Sequence, residues 1–392
     1  MRVVLRGMQL RLLSNAFDRI NVRNNGVKYM RLLVDARNLG TRPSGVGMYA
    51  YNFIYELTKC DDVEMHVIVD VVESNEITTL RDMGTVSIHA YGKPVNKSVS
   101  VYGYFNFVKK IIKSVKPDIF WETNNLAPVK LKNPYGKYVV TIHDVFPLTL
   151  PECYKKLYPL YFKLGVNKSI KCCDAIIYNS ETTKNEVRKF FPHAKQKKDY
   201  ISFIIIPPIE KVQAEKQEGF LYMGNLEKRK GVDILLDAYD RYLTNGGKKK
   251  LVIAGKVCEA DIETKLEEQL EKHKSLEYVG YVKGDERAVY YSACECFVFP
   301  SRAEGFGMPV IEALSCERNV ITSDLDIFEE IAGGYVDRFA IGNNRATAVE
   351  GLADCMMKDI DKHRIQGCHD VVARYAGSVL GKQMYRFMRE LE

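Results

Sequence analysis

The stretch Pro300-Ser301-Arg302-Ala303-Glu304-Gly305-Phe306-Gly307-Met308-Pro309-Val310-Ile311-Glu312-Ala313-Leu314 decides how this chain is read. Ahead of it, Cys296–Phe299 is an unbroken apolar run, the mark of a strand buried on both faces. Behind it, Pro309 stands where a helix opens, a position that suits proline. The loop between carries two glycines, which let backbone approach a ligand closely. Free N–H groups and the positive end of the helix dipole then point out of the sheet, which makes a site for a diphosphate. Glu304 opens the loop and Glu312 lies in the helix. One carboxylate would hold sugar hydroxyls and the other ribose hydroxyls. A glycine turn with two solvated glutamates is equally compatible with the spacing alone.

Outward from this stretch, strand-like and helix-like segments alternate. Gly219–Met223, Lys250–Ala254, Leu276–Val279 and Val320–Thr322 read as strands, with helices at Val232–Leu243, Asp261–His273 and Glu286–Ala293. In the first half, Leu32–Val34, Met65–Val72, Ile119–Trp121, Tyr138–Ile142 and Ala175–Tyr178 read as strands, and Phe203–Ile206 as a further buried one. Tyr49, Ala50, Phe53, Ile54 and Leu57 recur at helical spacing, as do Phe107, Val108, Ile111, Ile112 and Val115. Ser180 followed by Glu181 and Glu186 looks like a capped helix start. Such alternation predicts parallel sheets covered by helices. The pattern breaks at Pro207-Pro208, and polar Glu210–Gly219 reads as a linker. Two βα domains facing each other would place a cleft at the C-terminal ends of both sheets.

Composition agrees with that reading. A chain of 392 residues exceeds one ordinary core. With 46% hydrophobic and 27% charged residues it has the make-up of a soluble globular protein. No apolar run is long enough for a membrane-spanning helix. The net charge of +7 is modest for this length and does not call for nucleic acid as a partner. The lysines are uneven, however: Lys109, Lys110, Lys113 and Lys116, then Lys155, Lys156, Lys163, Lys168 and Lys171, then Lys195, Lys197 and Lys198. They lack the interleaved aromatic platforms of a nucleic-acid binder. The ten cysteines show no zinc spacing, so a reduced, cytoplasmic compartment and no metal site are expected. Residues 1–29 contain Arg2, Arg6 and Arg11 but no apolar core of a signal peptide. They read as an extension outside the fold, consistent with an upstream start codon.

Three weaker signals join the first. Gly224-Asn-Leu-Glu-Lys-Arg229-Lys230-Gly231 lies between a strand and a helix, where adjacent cations suit phosphate oxygens. His143-Asp144 ends a strand. Ser44-Gly45-Val46-Gly47 precedes a helix and departs from both the Walker and the dinucleotide-binding patterns. Singly, a basic turn, a structural histidine and a plain loop explain them as well. Together they follow strands in both domains, as the parts of a cleft enzyme would.

In this combination and order the chain resembles glycosyltransferase family 4, the retaining enzymes of the GT-B fold. The resemblance runs from about Arg31 to the C-terminus. It rests on Gly45 and Gly47, Thr141-Ile-His-Asp144 with Pro147 and Pro151-Glu152, Gly224–Gly231, Tyr278-Val-Gly-Tyr-Val282, and Glu304 with Glu312. It implies an α/β architecture of two Rossmann-like domains facing across a cleft. Residues 30–207 would form the acceptor side and 208–375 the nucleotide-sugar side, with 376–392 a helix returning to the first domain. Glu304 would contact the donor sugar and Glu312 the ribose. Phe306, Gly307 and Met308 would offer backbone amides, with Val310 at the diphosphate. Arg229 and Lys230 would neutralise the departing diphosphate beside Gly224 and Asn225. Tyr281 and Val282 would line the base pocket, His143 would lie beside the reacting sugar, and Gly45 and Gly47 on the acceptor side. Two departures stand out. Asn225 replaces an arginine found in some relatives, and Cys316-Glu317-Arg318-Asn319-Val320 lacks the usual glycine and proline.

The expected activity is metal-independent, retaining transfer of a hexose-type sugar from a GDP- or UDP-linked donor, with no other cofactor. The expected acceptor is a glycan or lipid-linked glycan in polysaccharide or glycoconjugate synthesis. The rivals are a same-fold enzyme with a soluble acceptor and a non-catalytic nucleotide-binding relative. The Phe107–Lys116 segment, apolar on one side and lysine-rich on the other, adds an expectation of peripheral membrane contact through the first domain.

Overall fold

The structure is a computed structural model, and it describes residues 29–41, 43–95, 98–214, 219–284, 286–342, 344–359 and 367–392. The N-terminal segment read as an extension lies outside these residues, apart from Tyr29. The first domain holds a sheet of seven parallel strands: β1 (Met30–Asp35), β2 (Val63–Val69), β3 (Val86–Ala90), β4 (Ile119–Glu122), β5 (Lys137–Ile142), β6 (Ala175–Tyr178) and β7 (Lys198–Ile201), in spatial order β3-β2-β1-β4-β5-β6-β7. The second holds six: β8 (Gly219–Met223), β9 (Lys250–Ala254), β10 (Leu276–Gly280), β11 (Cys296–Phe299), β12 (Asn319–Ser323) and β13 (Asp337–Phe339), in order β10-β9-β8-β11-β12-β13. The central strands β4, β6, β8, β11 and β12 are buried at every residue. Helices on both faces leave no solvated side, so β6, β8 and β11 are runs of apolar residues rather than alternations, while β4 and β12 bury a few polar side chains as well.

In each sheet the strand order reverses once, between β1 and β4 and between β8 and β11. Loops leaving the C-terminal ends of those strands run in opposite directions and open a crevice between them. The loops that carry most of the residues singled out from the sequence leave these four strands and β5.

The first of these crevices is built on a buried ion cluster. Arg37, just past β1, donates to Asp35 Oδ2 at 2.6 Å, to Glu122 Oε1 at 3.1 Å and to the Leu126 carbonyl at 2.8 Å. Tyr104 donates to Asp35 at 2.6 Å and Tyr138 to Glu122 at 2.5 Å. Burial pushes the Glu122 carboxyl up to about 7, with Asp35 adding to the rise and Arg37 opposing it. The guanidinium thus ties the ends of β1 and β4 to the loop carrying Leu126.

The C-terminal helix, Gly377–Leu391, returns to the first domain and packs on the Gly45–Leu57 helix. Gly377 and Gly381 lie so close to Glu56 that a side chain at either would overlap it. Tyr385 donates to Asp62 Oδ2 at 2.6 Å, Arg389 pairs with the same carboxylate, and Phe387 stacks on Tyr200 at 4.6 Å.

Two readings of the sequence are corrected. Phe203–Ile206 is buried or half-buried but forms no strand; it is the crossing between domains, with Ile206 N–H donating to the Tyr375 carbonyl at 3.1 Å. The apolar side of Phe107–Lys116 does not face outward. Val108, Ile112 and Val115 are buried with Tyr104 and Phe105 beneath the Ser98–Val115 helix, and Phe107 packs against the same cluster. Periodicity marks an apolar face without saying what covers it, and here it is the sheet.

Replacing Arg37 by alanine leaves two carboxylates buried without their cation, a loss of about 3–5 kcal/mol. Chemical denaturation of Arg37→Ala is expected to show a lower unfolding midpoint for the first domain; an unchanged midpoint would contradict the assignment of Arg37 as its anchor.

Candidate active site

The loop between β11 and the Met308–Ser315 helix is folded around Glu304. Its Oε1 accepts from the Ser301 hydroxyl at 2.6 Å and from Lys230 Nζ at 2.5 Å. The pair is well shielded, with side-chain exposures of 7% for Glu304 and 15% for Lys230, so water weakens it less than a surface pair. The Lys230 ammonium also lies 5.0 Å from the Phe299 ring centroid. Ser323 Oγ donates to the Ser301 carbonyl at 2.5 Å, fixing the loop's root to β12.

Lys230 comes from the loop after β8. That loop can lie against β11 because residue 231 is glycine in a left-handed conformation (φ 71°), where a side chain would overlap the Pro300 carbonyl. Arg229 donates to the Ala303 carbonyl at 3.0 Å and to Glu227 at 2.5 Å, and its guanidinium lies 5.2 Å from the centroid of Phe146 in the first domain. Gly224 N–H bonds to the Ala254 carbonyl, and the Asn225 carbonyl accepts from Tyr222 at 2.7 Å.

The helix after the loop opens at Gly307. Pro309 has no N–H, and Val310 N–H donates to the Gly307 carbonyl at 3.0 Å while its side chain is fully buried. The N–H groups of Gly307 and Met308 are the donors left for a ligand at this end. The Phe306 ring turns inward onto Phe203 and Tyr375 at 6.0 and 5.6 Å. Glu312, a turn further on, accepts from Arg287 at 2.8 Å and Tyr291 at 2.9 Å. Val282 is buried, whereas Tyr281 beside it is exposed at the rim after β10.

The first domain brings His143 to the same place. A β-carbon on Gly305 would come within 2.7 Å of the His143 carbonyl, so the two loops touch across the cleft. His143 N–H donates to Asn125 Oδ1 at 2.6 Å, and Nε2 lies 2.8 Å from the Thr123 carbonyl. A carbonyl only accepts, so Nε2 carries the proton and Nδ1 keeps a free lone pair in the neutral ring. Burial pushes the ring's pKa down to about 4, against the Thr123 hydrogen bond, so it is neutral near pH 7. Tyr49 meets it edge-on at 4.7 Å. Burial, with Glu304 adding to it, lifts the neighbouring Asp144 carboxyl above the ordinary range, partly opposed by Arg229. Gly45 faces Met308, while Gly47 lies against the Asn38 carbonyl.

A second contact joins the domains. Glu330, on the Asp326–Ala332 helix, accepts from Glu181 N–H at 2.6 Å, Thr182 N–H at 2.9 Å and Thr182 Oγ1 at 2.8 Å. A carboxylate of the second domain therefore caps the Glu181–Phe190 helix of the first. Beside it, the Ser180 and Thr183 hydroxyls each lie 3.4 Å from the Gly305 carbonyl.

Of the residues singled out from sequence, Glu304, Arg229, Lys230, Gly307, Met308, His143 and Gly45 converge on this junction. Gly224, Asn225 and Glu312 lie on its second-domain side, Gly47 and the Phe306 ring point into packing, and Tyr281 stands at the rim. Ser301, Asn125, Thr123, Arg287, Tyr291 and Glu330 are the supports that sequence reasoning missed. Nothing in their local spacing distinguishes them: Ser301 serves Glu304 within its own loop, and each of the others works through a partner distant in the chain.

Residues 43–202 match the model of Glycosyltransferase Family 4 and residues 208–366 that of Glycosyl transferases group 1. O-antigen chain mannosyltransferase B of Escherichia coli is 28% identical over 236 residues, covering 57% of this chain and 61% of that protein. The O-antigen chain mannosyltransferase RfbU of Salmonella typhimurium is 23% identical over 308 residues, covering 76% of this chain and 84% of its own length. The crystal structure of Anabaena HepE in complex with UDP and glucose superposes with a TM-score of 0.68 at 15% identity, over 93% of this chain and 100% of that one. Sucrose-phosphate synthase from Thermosynechococcus elongatus gives 0.67 at 13% identity, over 92% and 99%. At such identities the structural likeness bears on the fold alone. The two family matches take in β2 to β7 of the first sheet and the whole of the second, and the chain belongs to the family 4-type glycosyltransferases of the GT-B fold.

Proposed function

We propose that this protein transfers a hexose from a nucleoside diphosphate, with retention of configuration, to a glycan or lipid-linked glycan acceptor in polysaccharide synthesis. The observation that carries the reading is the Lys230–Glu304–Ser301 cluster at the strand-order reversal of the second sheet, on a loop whose Gly305 meets the His143 carbonyl of the first domain. The O-antigen mannosyltransferases among its relatives support mannose as the first donor sugar to test, on GDP or UDP.

The difficult step is departure of the diphosphate. As the bond from the anomeric carbon to the phosphate oxygen breaks, its electron pair stays on the phosphate. Arg229, Lys230 and the Gly307 and Met308 amides are positioned to meet that charge without a metal. Glu304 accepts from sugar hydroxyls with the lone pairs not used by Lys230 and Ser301, and Glu312 does the same for the ribose. The acceptor oxygen bonds to the anomeric carbon on the face the diphosphate leaves, and its proton passes to a phosphate oxygen. His143 serves as a neutral hydrogen-bond partner for the sugar through Nδ1, not as a cation. The site in this reading works in the cytoplasm, with the first domain against the membrane face.

Nucleotide release from a panel of GDP-, UDP-, ADP- and dTDP-sugars tests the reading. One donor should be turned over, and Glu304→Ala and Lys230→Ala should each lower kcat by about 100-fold or more while nucleotide binding persists. Binding of nucleotide without release, with and without glycan acceptors, would favour a non-catalytic relative. The pH profile tests His143 separately. Native enzyme and His143→Asn should run parallel between about pH 5.5 and 8, because the ring holds no proton there to lose. A limb near the ordinary histidine pKa, present only in the native enzyme, would contradict a neutral role.

A further inference from the structure

The Tyr158–Cys172 helix of the first domain carries an apolar stripe that nothing in the described chain covers. Leu157, Leu160 and Leu164 are 76%, 58% and 59% exposed, and Tyr158 and Tyr161 beside them are exposed too. The spacing of three and four residues puts them on one face. The opposite face, Phe162, Val166 and Ile170, is buried beneath the sheet's outer layer. The exposed leucines are therefore additional to the face that the fold requires, and such patches mark interaction surfaces.

The charges within the stripe's own segment are of one sign, with Glu152 ahead of it and Asp174 behind. Lys155, Lys156, Lys163 and Lys171 are exposed, and no acidic residue occurs from Cys153 to Cys173. The neighbouring Ser98–Val115 helix adds exposed Lys109, Lys110 and Lys113, again without an acidic residue. Its exposed Tyr102 lies within electrostatic reach of Tyr161. The stripe also starts at the cleft. Tyr154, whose hydroxyl is influenced by Asp144 and Arg229, stacks on Tyr158 at 5.6 Å, and Tyr158 meets Tyr161 at 6.0 Å.

We infer that this face docks on an anionic lipid bilayer, with Leu157, Leu160 and Leu164 entering the interface and the lysines meeting lipid phosphates. Leucine and tyrosine at helical spacing, flanked by lysine and free of acidic groups, are what an interfacial helix needs. A second copy of the chain is a poorer occupant, because a two-fold contact would set the same lysines against one another. The inference rests on the proposed function only in placing the acceptor at the membrane end of the cleft; docking itself needs no turnover.

Flotation with vesicles of phosphatidylcholine alone, or with about 30 mol% phosphatidylglycerol added, tests it. The native protein should float with the anionic vesicles and be released by salt. Leu157→Ser/Leu160→Ser/Leu164→Ser and Lys155→Glu/Lys156→Glu/Lys163→Glu should each weaken partition by about tenfold or more, with nucleotide binding intact. Retained nucleotide binding shows that the variants fold and keeps this test separate from that of the transfer reaction. Failure of the native protein to float, or undiminished flotation of the leucine variant, overturns the inference. So does a native dimer that the leucine variant splits, which would make the face a contact between copies.

Discussion

Two loops from different strands of the second domain share one carboxylate. Glu304, after β11, is held by Lys230, after β8, and by Ser301 of its own loop. The pair spans the point where the strand order of the sheet reverses, so it fixes the two walls of that crevice relative to each other. Its burial makes it costly to leave either partner alone. The rest of the site is hung on it. Arg229 is carried beside Lys230 and braces the Ala303 carbonyl, Gly305 is delivered to His143, and the helix with the free Gly307 and Met308 amides is aimed outward. In the proposed reaction a diphosphate entering this place would meet cations already partnered by Glu227 and Glu304. Binding would then redistribute existing charge contacts, and the protein would not have to bring a bare cation out of water.

The first domain supplies the other side. Its crevice is anchored from within by the Arg37 cluster, and it brings to the cleft the neutral His143 ring, backed by the buried Tyr49, with the Asp144 carboxyl beside it and Gly45 opposite Met308. Most of the charge at the junction therefore comes from the second domain.

The βα alternation was legible because parallel strands buried on both faces, such as Cys296–Phe299, cannot hide their apolar runs. The glycine loop with its two glutamates was legible because backbone turns and helix starts have local chemistry. Other elements were not. Phe203–Ile206 has the composition of a strand, yet it pairs with neither sheet and crosses between domains instead. The partners of Glu312, Arg287 and Tyr291, precede it by 25 and 21 residues on a helix, Glu286–Ala293, whose own periodicity says only that one side is buried. The lysine-rich segment at Phe107–Lys116 was legible as amphipathic, but which helix keeps its leucines outside depends on the sheet that both helices share. Chain-distant pairing, not local propensity, decides these cases.

The Glu330 carboxylate at the head of the Glu181–Phe190 helix has a mechanical consequence. It bridges the domains through two amides and a hydroxyl at a helix terminus, all groups that water can serve when the carboxylate withdraws. Ser180 Oγ, meanwhile, still accepts from Thr183 N–H at 3.0 Å, so the helix keeps a cap of its own. Separating the domains at this edge therefore exchanges hydrogen bonds for hydration and leaves the secondary structure whole. The fastening is of the kind that can be undone and remade at low cost, unlike the C-terminal helix, which is bound to the first domain by packed side chains as well as by Tyr385 and Arg389.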